Sequence, residues 1–245
     1  MPRYGMVIDL ERCMGCRACM LACKVENNTP YSHFWMYVFR LEEGEYPETR
    51  ITFLPRPCMH CDNAPCVKVC PVGARYKERT GIVGTDWDRC IGCRYCEVAC
   101  PYGVNYFSWK DPRKSQYLDW EDDDLNAVTG EASPPYANPD LGGRFGEESR
   151  PIAGGNHHKG VVEKCTFCVH RVEKGLLPAC VANCPAFALY FGDLDDPEST
   201  VSKLLKEKQS FRLEEEFNTQ PRVHYVGAPP PSTEVRQMDT VRARE

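Results

Sequence analysis

The sequence predicts an α+β fold made of two copies of one cysteine-rich unit, joined and flanked by long irregular loops. Three observations carry that expectation. All sixteen cysteines of the 245-residue chain fall into four groups of four. A shift of 77 positions lays Asp9 to Cys23 (DLERCMGCRACMLAC) on Asp86 to Cys100 (DWDRCIGCRYCEVAC) with nine of fifteen residues identical, and a shift of 114 lays CVKVCPVGARY, from Cys66, on CVANCPAFALY, from Cys180. Self-similarity of this kind marks a duplication. With 20 Pro, 18 Gly and 42% hydrophobic residues, little material is left for a large apolar core, so something other than apolar burial must organise the chain.

The spacing of the cysteines identifies that organiser. Quartet one is Cys13, Cys16, Cys19 and Cys23; quartet two is Cys58, Cys61, Cys66 and Cys70; quartet three is Cys90, Cys93, Cys96 and Cys100; quartet four is Cys165, Cys168, Cys180 and Cys184. Quartets one and three read CxxCxxCxxxC, the spacing with which bacterial ferredoxins hold [4Fe–4S] clusters, the fourth cysteine reaching to a neighbouring cluster. Quartets two and four stretch the middle gap to four and eleven residues, replacing a tight turn by a loop. A disulfide scaffold needs an oxidising compartment and has no use for recurrent CxxC. A tetrahedral zinc site has no use for a third cysteine two residues further on. Four complete quartets therefore predict four [4Fe–4S] clusters in two bacterial-ferredoxin-like double-[4Fe–4S] units.

The elements follow in order. Tyr4 to Leu10 (YGMVIDL) reads as a strand leading into quartet one, and Gly81 to Asp86 as strand-like before quartet three. Short helices are expected at the third and fourth cysteines, in MLACKVEN and EVACP. PESTVSKLLKEK, Pro197 to Lys208, reads as a surface helix with acid near its start and Lys towards its end, and Arg222 to Val226 as a last strand. The nested arrangement is favoured: residues 1–48 with 160–195 carry quartets one and four, and residues 49–108 carry quartets two and three. Residues 109–159 form an insertion read as a long loop, and residues 196–245 hold the last helix, the last strand and a polar, Pro-rich tail. Spacing alone leaves the sequential pairing, one with two and three with four, open.

Composition narrows the function. A net charge of −5 and a pI near 5.8 argue against a nucleic-acid binder. MPRYGMVIDLERC has neither an apolar run of signal-peptide length nor a twin-arginine pair, so no export signal is expected. Pro178 to Gly192 is too short and too rich in Pro and Cys to span a bilayer, so no transmembrane segment is expected. No dinucleotide fingerprint, phosphate loop, nucleophile elbow or HExxH motif occurs, so the chain shows no substrate site of its own and reads as a wire. Arg12, Arg17, Lys24, Arg89, Arg94, Lys164 and Arg171 flank the quartets; either balancing cluster charge or surface solvation explains most of them equally well, and none is read as catalytic. His60 and His170 are read as supporting hydrogen bonds near the clusters, and His157 and His158 as solvated in a Gly/Asn-rich loop.

The motifs MVIDLERCMGCRACMLACK, EGEYP, CMHCDNAPCVKVCPVGA, CIGCRYCEVACPYGV, KCTFCVHRVEKGLLPACVANCP and FGDLDDPES resemble the four-cluster iron–sulfur subunit of the dimethyl sulfoxide reductase family of molybdopterin oxidoreductases, and among these the polysulfide, thiosulfate and respiratory arsenate reductase subunits. The likeness covers roughly residues 1 to 108 and 160 to 227. It implies a catalytic partner holding a molybdenum or tungsten pterin cofactor and a quinone-reactive integral membrane partner. It implies membrane association through that complex, on the periplasmic face by co-export with the catalytic partner, with the cytoplasmic face as the alternative. It also implies ligand sets: Cys13, Cys16, Cys19 and Cys184; Cys23, Cys165, Cys168 and Cys180; Cys58, Cys61, Cys66 and Cys100; Cys70, Cys90, Cys93 and Cys96. The alternative expectation is a soluble polyferredoxin or the electron-transfer subunit of a hydrogenase or dehydrogenase complex.

Overall fold

The computed structural model of the protein describes residues 1–30, 32–110 and 157–230. Most of the expected insertion and the end of the tail lie outside the described residues. Short strands and short helices are interspersed along the chain, giving an α+β fold. Strand β1 (Tyr4–Asp9) is buried along nearly its whole length, because Met6 and Ile8 face the main core and Val7 packs with Val201 and Val226 on the other face, and a strand covered on both faces needs no polar one. It pairs antiparallel with β8 (Leu189–Asp193) and parallel with β10 (Val223–Val226). With β9 (Ser210–Phe211) these form a sheet of order β8-β1-β10-β9. Helix α1 (Ala18–Asn27) and helix α3 (Tyr95–Ala99) begin at the third cysteine of quartets one and three, as the repeat requires.

The duplication survives in the strand register. In the first unit Met6, Val7 and Ile8 face Phe191, Tyr190 and Leu189. In the second, β5 (Val83–Thr85) and β4 (Arg75–Lys77) pair Val83 with Lys77, Gly84 with Tyr76 and Thr85 with Arg75. Shifts of 77 and 114 convert one set of pairs into the other. The turns entering quartets one and three repeat as well. The Asp9 carboxylate accepts the backbone N–H groups of Glu11 (3.0 Å) and Arg12 (3.3 Å), and the Asp86 carboxylate accepts those of Asp88 (3.1 Å) and Arg89 (3.3 Å). Gly15 and Gly92 then share φ +69°, a left-handed backbone that glycine adopts without steric cost. Helix α2 (Pro65–Lys68) packs on α3, and α5 (Ala179–Ala182) packs on α1; α4 (Val169–Val172) follows Cys168.

Other elements tie the units together. The hairpin of β2 (Tyr37–Glu43) and β3 (Arg50–Arg56), which cysteine spacing gave no reason to expect, covers the first unit. Strands β6 (Tyr106–Phe107) and β7 (Val162–Glu163) join the two chain segments that flank residues 111–156. Helix α6 (Thr200–Glu207) starts at Ser199, whose hydroxyl accepts the Ser202 N–H at 3.2 Å. It is shorter than the expected Pro197 to Lys208, because this cap lies two residues after the proline. Asp62 bridges the units: it takes ion pairs from Arg3 (2.8 Å), Lys77 (2.7 Å) and Arg222 (2.6 Å). Burial opposes that charge, yet the hydrogen bonds from Arg222, Lys77 and Arg3 hold the carboxyl far below its ordinary range. The main core is a cluster in which cysteines pack beside Met6, Ile8, Trp35, Leu54, Met59, Phe167 and Tyr225, and a smaller one joins Val7, Val201 and Val226.

Candidate metal centres

The repeated turns bend the chain around hollows, and the thiols line them. Cys13, Cys16, Cys19 and Cys184 border one hollow of about 330 Å³, together with Val38, Pro55 and Leu189. Cys70, Cys90, Cys93 and Cys96 border a second of about 310 Å³, with Ala74, Arg75 and Val162. Cys58, Cys61, Cys66 and Cys100 border a third of about 330 Å³, with His60, Tyr102 and Lys164. Three hollows of nearly equal size, each with four thiols, call for the same guest. Cys23, Cys165, Cys168 and Cys180 form the remaining group. Burial, then Cys168 and Cys165, push the Cys23 thiol well up, and burial, then Cys168, Cys23 and Cys165, do the same for Cys180.

The electrostatics specify a cationic guest. Burial first, then the neighbouring cysteines, raise Cys19 to about 12. Burial, Cys58 and Cys168 raise Cys165 to about 12. Burial likewise raises Cys66 to about 12, although Arg75 pulls the other way. Four thiolates this close in a low-dielectric hollow repel one another unless a positively charged core sits among them. Among the described residues, no three His, Cys, Asp or Glu side chains converge as a single metal ion requires. The thiols instead gather in fours around open space, and an iron–sulfur cubane with four thiolate positions fits that donor set.

Backbone and amide donors complete the surroundings. The N–H groups of Arg75, Ala188 and Phe167 point at the sulfurs of Cys70 (3.4 Å), Cys184 (3.3 Å) and Cys165 (3.4 Å). The Asn27 amide lies 3.7 Å from Cys23 Sγ and 3.6 Å from Cys168 Sγ. Such donors stabilise thiolate charge and raise the reduction potential of what the thiolates hold.

Several flanking residues differ from expectation. Lys24 and Lys164 are buried. The Lys24 ammonium donates to the carbonyls of Pro30 (2.9 Å) and His33 (2.8 Å), and burial lowers its pKa to about 8. Lys164 donates to the carbonyls of Cys165 (2.8 Å) and Val83. His157 is buried too: its Nδ1 lies 2.7 Å from Glu163, which also meets His33 at 3.0 Å. Burial disfavours that carboxylate, but His157 and His33 hold it down at about 2. Composition near His157 suggested solvent because the partners that bury it, Glu163 and the Asn27 carbonyl, come from other segments. His60 lines the third hollow without a hydrogen bond to a thiol; its Nδ1 accepts the Val83 N–H at 3.0 Å and its ring stacks on Phe167. His170 pairs with Glu26 at 2.8 Å. Arg75 and Asn27 went unnoticed in the sequence, although the 114-residue repeat had already set Arg75 against Leu189.

The four groups also have an order. Cys19 lies within electrostatic reach of both Cys23 and Cys180, linking the first group to the buried one. Cys165 feels Cys58, linking that group to the third hollow, and Arg75 feels Cys96, Cys66 and Cys58, linking the third to the second. Cys16 and Cys93 are exposed, whereas all eight cysteines of the two middle groups are buried. Around the exposed pair, Met14, Leu21 and Phe187 at one end and Ile91, Tyr95 and Val98 at the other are more than half exposed. Among the described residues no helix is long and apolar enough to cross a membrane.

Comparison with known proteins agrees with this geometry. Two family profiles described as 4Fe–4S dicluster domains match, one over residues 49–116 and 151–194 and one over residues 12–74. The chain is 44% identical to the arsenate respiratory reductase iron–sulfur subunit of a Shewanella species, covering 91% of this chain and 96% of that protein. It is 42% identical to a selenate reductase subunit of Mesobacillus selenatarsenatis (91% and 72% covered). It is 38% identical to the iron–sulfur cluster-binding subunit of menaquinone reductase from Nitratidesulfovibrio vulgaris (91% and 88% covered).

Proposed function

Because this chain belongs to the family of 4Fe–4S iron–sulfur subunits of respiratory reductases, we propose that it carries single electrons between a quinone-reactive membrane subunit and a molybdopterin catalytic subunit. The observation that carries this reading is the row of four thiol groups with an exposed cysteine, Cys16 or Cys93, at each end and buried thiols between. A row closed in the middle and open at both ends offers two docking positions. The apolar side chains beside Cys16 and Cys93 suit burial against partner subunits.

When bound, the four [4Fe–4S] clusters supply reversible one-electron transfer. The ligand sets we propose are Cys13, Cys16, Cys19 and Cys184; Cys23, Cys165, Cys168 and Cys180; Cys58, Cys61, Cys66 and Cys100; and Cys70, Cys90, Cys93 and Cys96. Their support is that the thiols of each set border one hollow or raise one another's pKa. The rest of the chain buries the middle thiols, with Tyr102 lining the third hollow and Phe167 donating its N–H to Cys165 Sγ. The complex is proposed to sit at the membrane through its partners, on the periplasmic face by co-export with the catalytic subunit. The menaquinone reductase relative supports the quinone side.

Iron and acid-labile sulfide analysis of anaerobically purified protein should return about sixteen of each, four per cubane. Zinc, or half that iron, would sink the reading. Affinity purification under the same conditions should bring down a molybdopterin protein; a lone monomer would favour a soluble polyferredoxin instead.

A further inference from the structure

The duplication makes one substitution stand out. Leu189 faces Ile8, and its counterpart in the second unit, Arg75, faces Thr85. Each residue lines the outer hollow of its own unit. Turns, glycines and thiols are retained between these two hollows, yet one has an aliphatic side chain where the other has a cation.

Arg75 is only 3% exposed. Its Nη2 lies 3.5 Å from Cys96 Sγ and donates to Asn105 Oδ1 at 2.7 Å, and Asn105 is itself fixed by donating to the Cys96 carbonyl at 2.9 Å. Its Nε and Nη1 are buried without a hydrogen-bond partner. Among the described residues no carboxylate forms an ion pair with it. Burial works against the charge, but Cys96, Cys66 and Cys58 hold the guanidinium above its ordinary pKa, so it stays protonated at every pH the protein meets. A buried cation without a counter-ion is costly. The neighbours that can offset it are thiolates, and a cubane ligated by four of them carries net negative charge that grows with each added electron. Net charge and nearby hydrogen bonds are among the factors that set cluster potentials, and a cation at contact distance acts strongly where the dielectric is low.

We propose that Arg75 is an electrostatic tuning residue that raises the reduction potential of the site formed by Cys70, Cys90, Cys93 and Cys96, an effect its counterpart Leu189 cannot exert on the opposite end. The chain is therefore polar, with electrons resting preferentially at the Arg75 end. The event it biases is the uptake of one electron, with no bond made or broken and no group transferred. The inference rests on the ligand sets proposed above.

The test is an EPR-monitored redox titration of the full-length, cluster-loaded protein with Arg75→Gln and Arg75→Lys, iron being counted in each. Arg75→Gln keeps a donor for Asn105 but removes the charge. It should retain full iron while the one-electron reduction constant of one outer cluster falls about tenfold or more, about 59 mV. The adjoining inner cluster should shift less and the other two stay in place. Arg75→Lys should restore the wild-type midpoint. If Arg75→Gln loses iron, Asn105→Asp, which sets a carboxylate against the retained guanidinium, should produce the same fall. An unmoved midpoint at full iron, an equal fall in Arg75→Lys, or a uniform shift of all four clusters would overturn the proposal. Wild-type protein with fewer than four clusters would instead count against the ligand sets beneath it.

Discussion

The unit built on quartets one and four and the unit built on quartets two and three use the same strand register, the same aspartate turn and the same left-handed glycine, but they are braced differently. In the first, β1 is enclosed between β8 and β10, and Val7 packs with Val201 of α6 and Val226 of β10. In the second, among the described residues, β5 has one strand neighbour. The residue matching Val7 there is Gly84, and the Tyr76 ring fills the space, standing 2.5 Å from where a Cβ would sit. Without an apolar side chain on that face, no covering helix is required. The lesson is that a strand pair, an aspartate turn and a glycine suffice to position the thiols, so everything outside them was free to diverge after duplication.

The largest expected effect tests the shared part. Cys184→Ser and Cys70→Ser occupy matching positions in the two units and should each alter one cluster, at opposite ends of the chain. EPR of the two variants should therefore lose different signals; loss of one common signal would break the comparison and with it the nested arrangement. A smaller contrast separates the two turns. At Gly15 an added Cβ meets the Phe53 ring at 2.4 Å, whereas at Gly92 it meets the Gly160 carbonyl oxygen at 2.2 Å. A ring can swing aside and a main-chain carbonyl cannot. Gly15→Ala should cost roughly 1–2 kcal/mol for the left-handed backbone, and Gly92→Ala roughly twice that or more once the clash is added. Anaerobic chemical denaturation measures both, and equal costs would show that the Gly160 loop yields.

The smallest effect belongs to the bracing alone. His224 lies on β10, a strand the second unit lacks. Burial, then Arg212 and Arg3, lower its pKa from 6.5 to about 4. The unfolded chain thus takes up a proton near pH 6.5 that the folded chain refuses until about pH 4, so stability declines as pH falls through that window. The share from this group should reach about 1 kcal/mol by pH 5.5, and His224→Gln should remove that share of the slope. Denaturation midpoints at pH 7.5 and 5.5 decide the matter, an unchanged slope in the variant ruling His224 out.

The cysteine code and the repeat made the four quartets, α1 and α3 legible in the sequence, because local spacing fixes them; β1 and β10 were legible as the apolar runs YGMVIDL and RVHYV, and which quartets pair was not fixed by spacing. Strand β8 was equally available, since the 114-residue shift sets LYF on RYK. The β2–β3 hairpin was not visible through the cysteines at all; its evidence is the alternation within YVFRLEE and RITFLPR. The burial of Lys24, Lys164 and His157 could not be read from composition, as each depends on carbonyls or a carboxylate brought in by the fold. Arg75 was legible only as a mismatch between duplicates, which becomes meaningful once the register shows that both positions face a hollow.

The position of β1 has a further consequence, for how the chain is made. A strand of the first ten residues has its partners at 189–193 and 223–226, while β4 and β5 can pair as soon as Thr85 has emerged. Because chains fold vectorially during synthesis, the second unit can close while the first still waits, with Cys13, Cys16 and Cys19 in place and Cys184 not yet translated. The unit that leaves the ribosome first is the last to be finished.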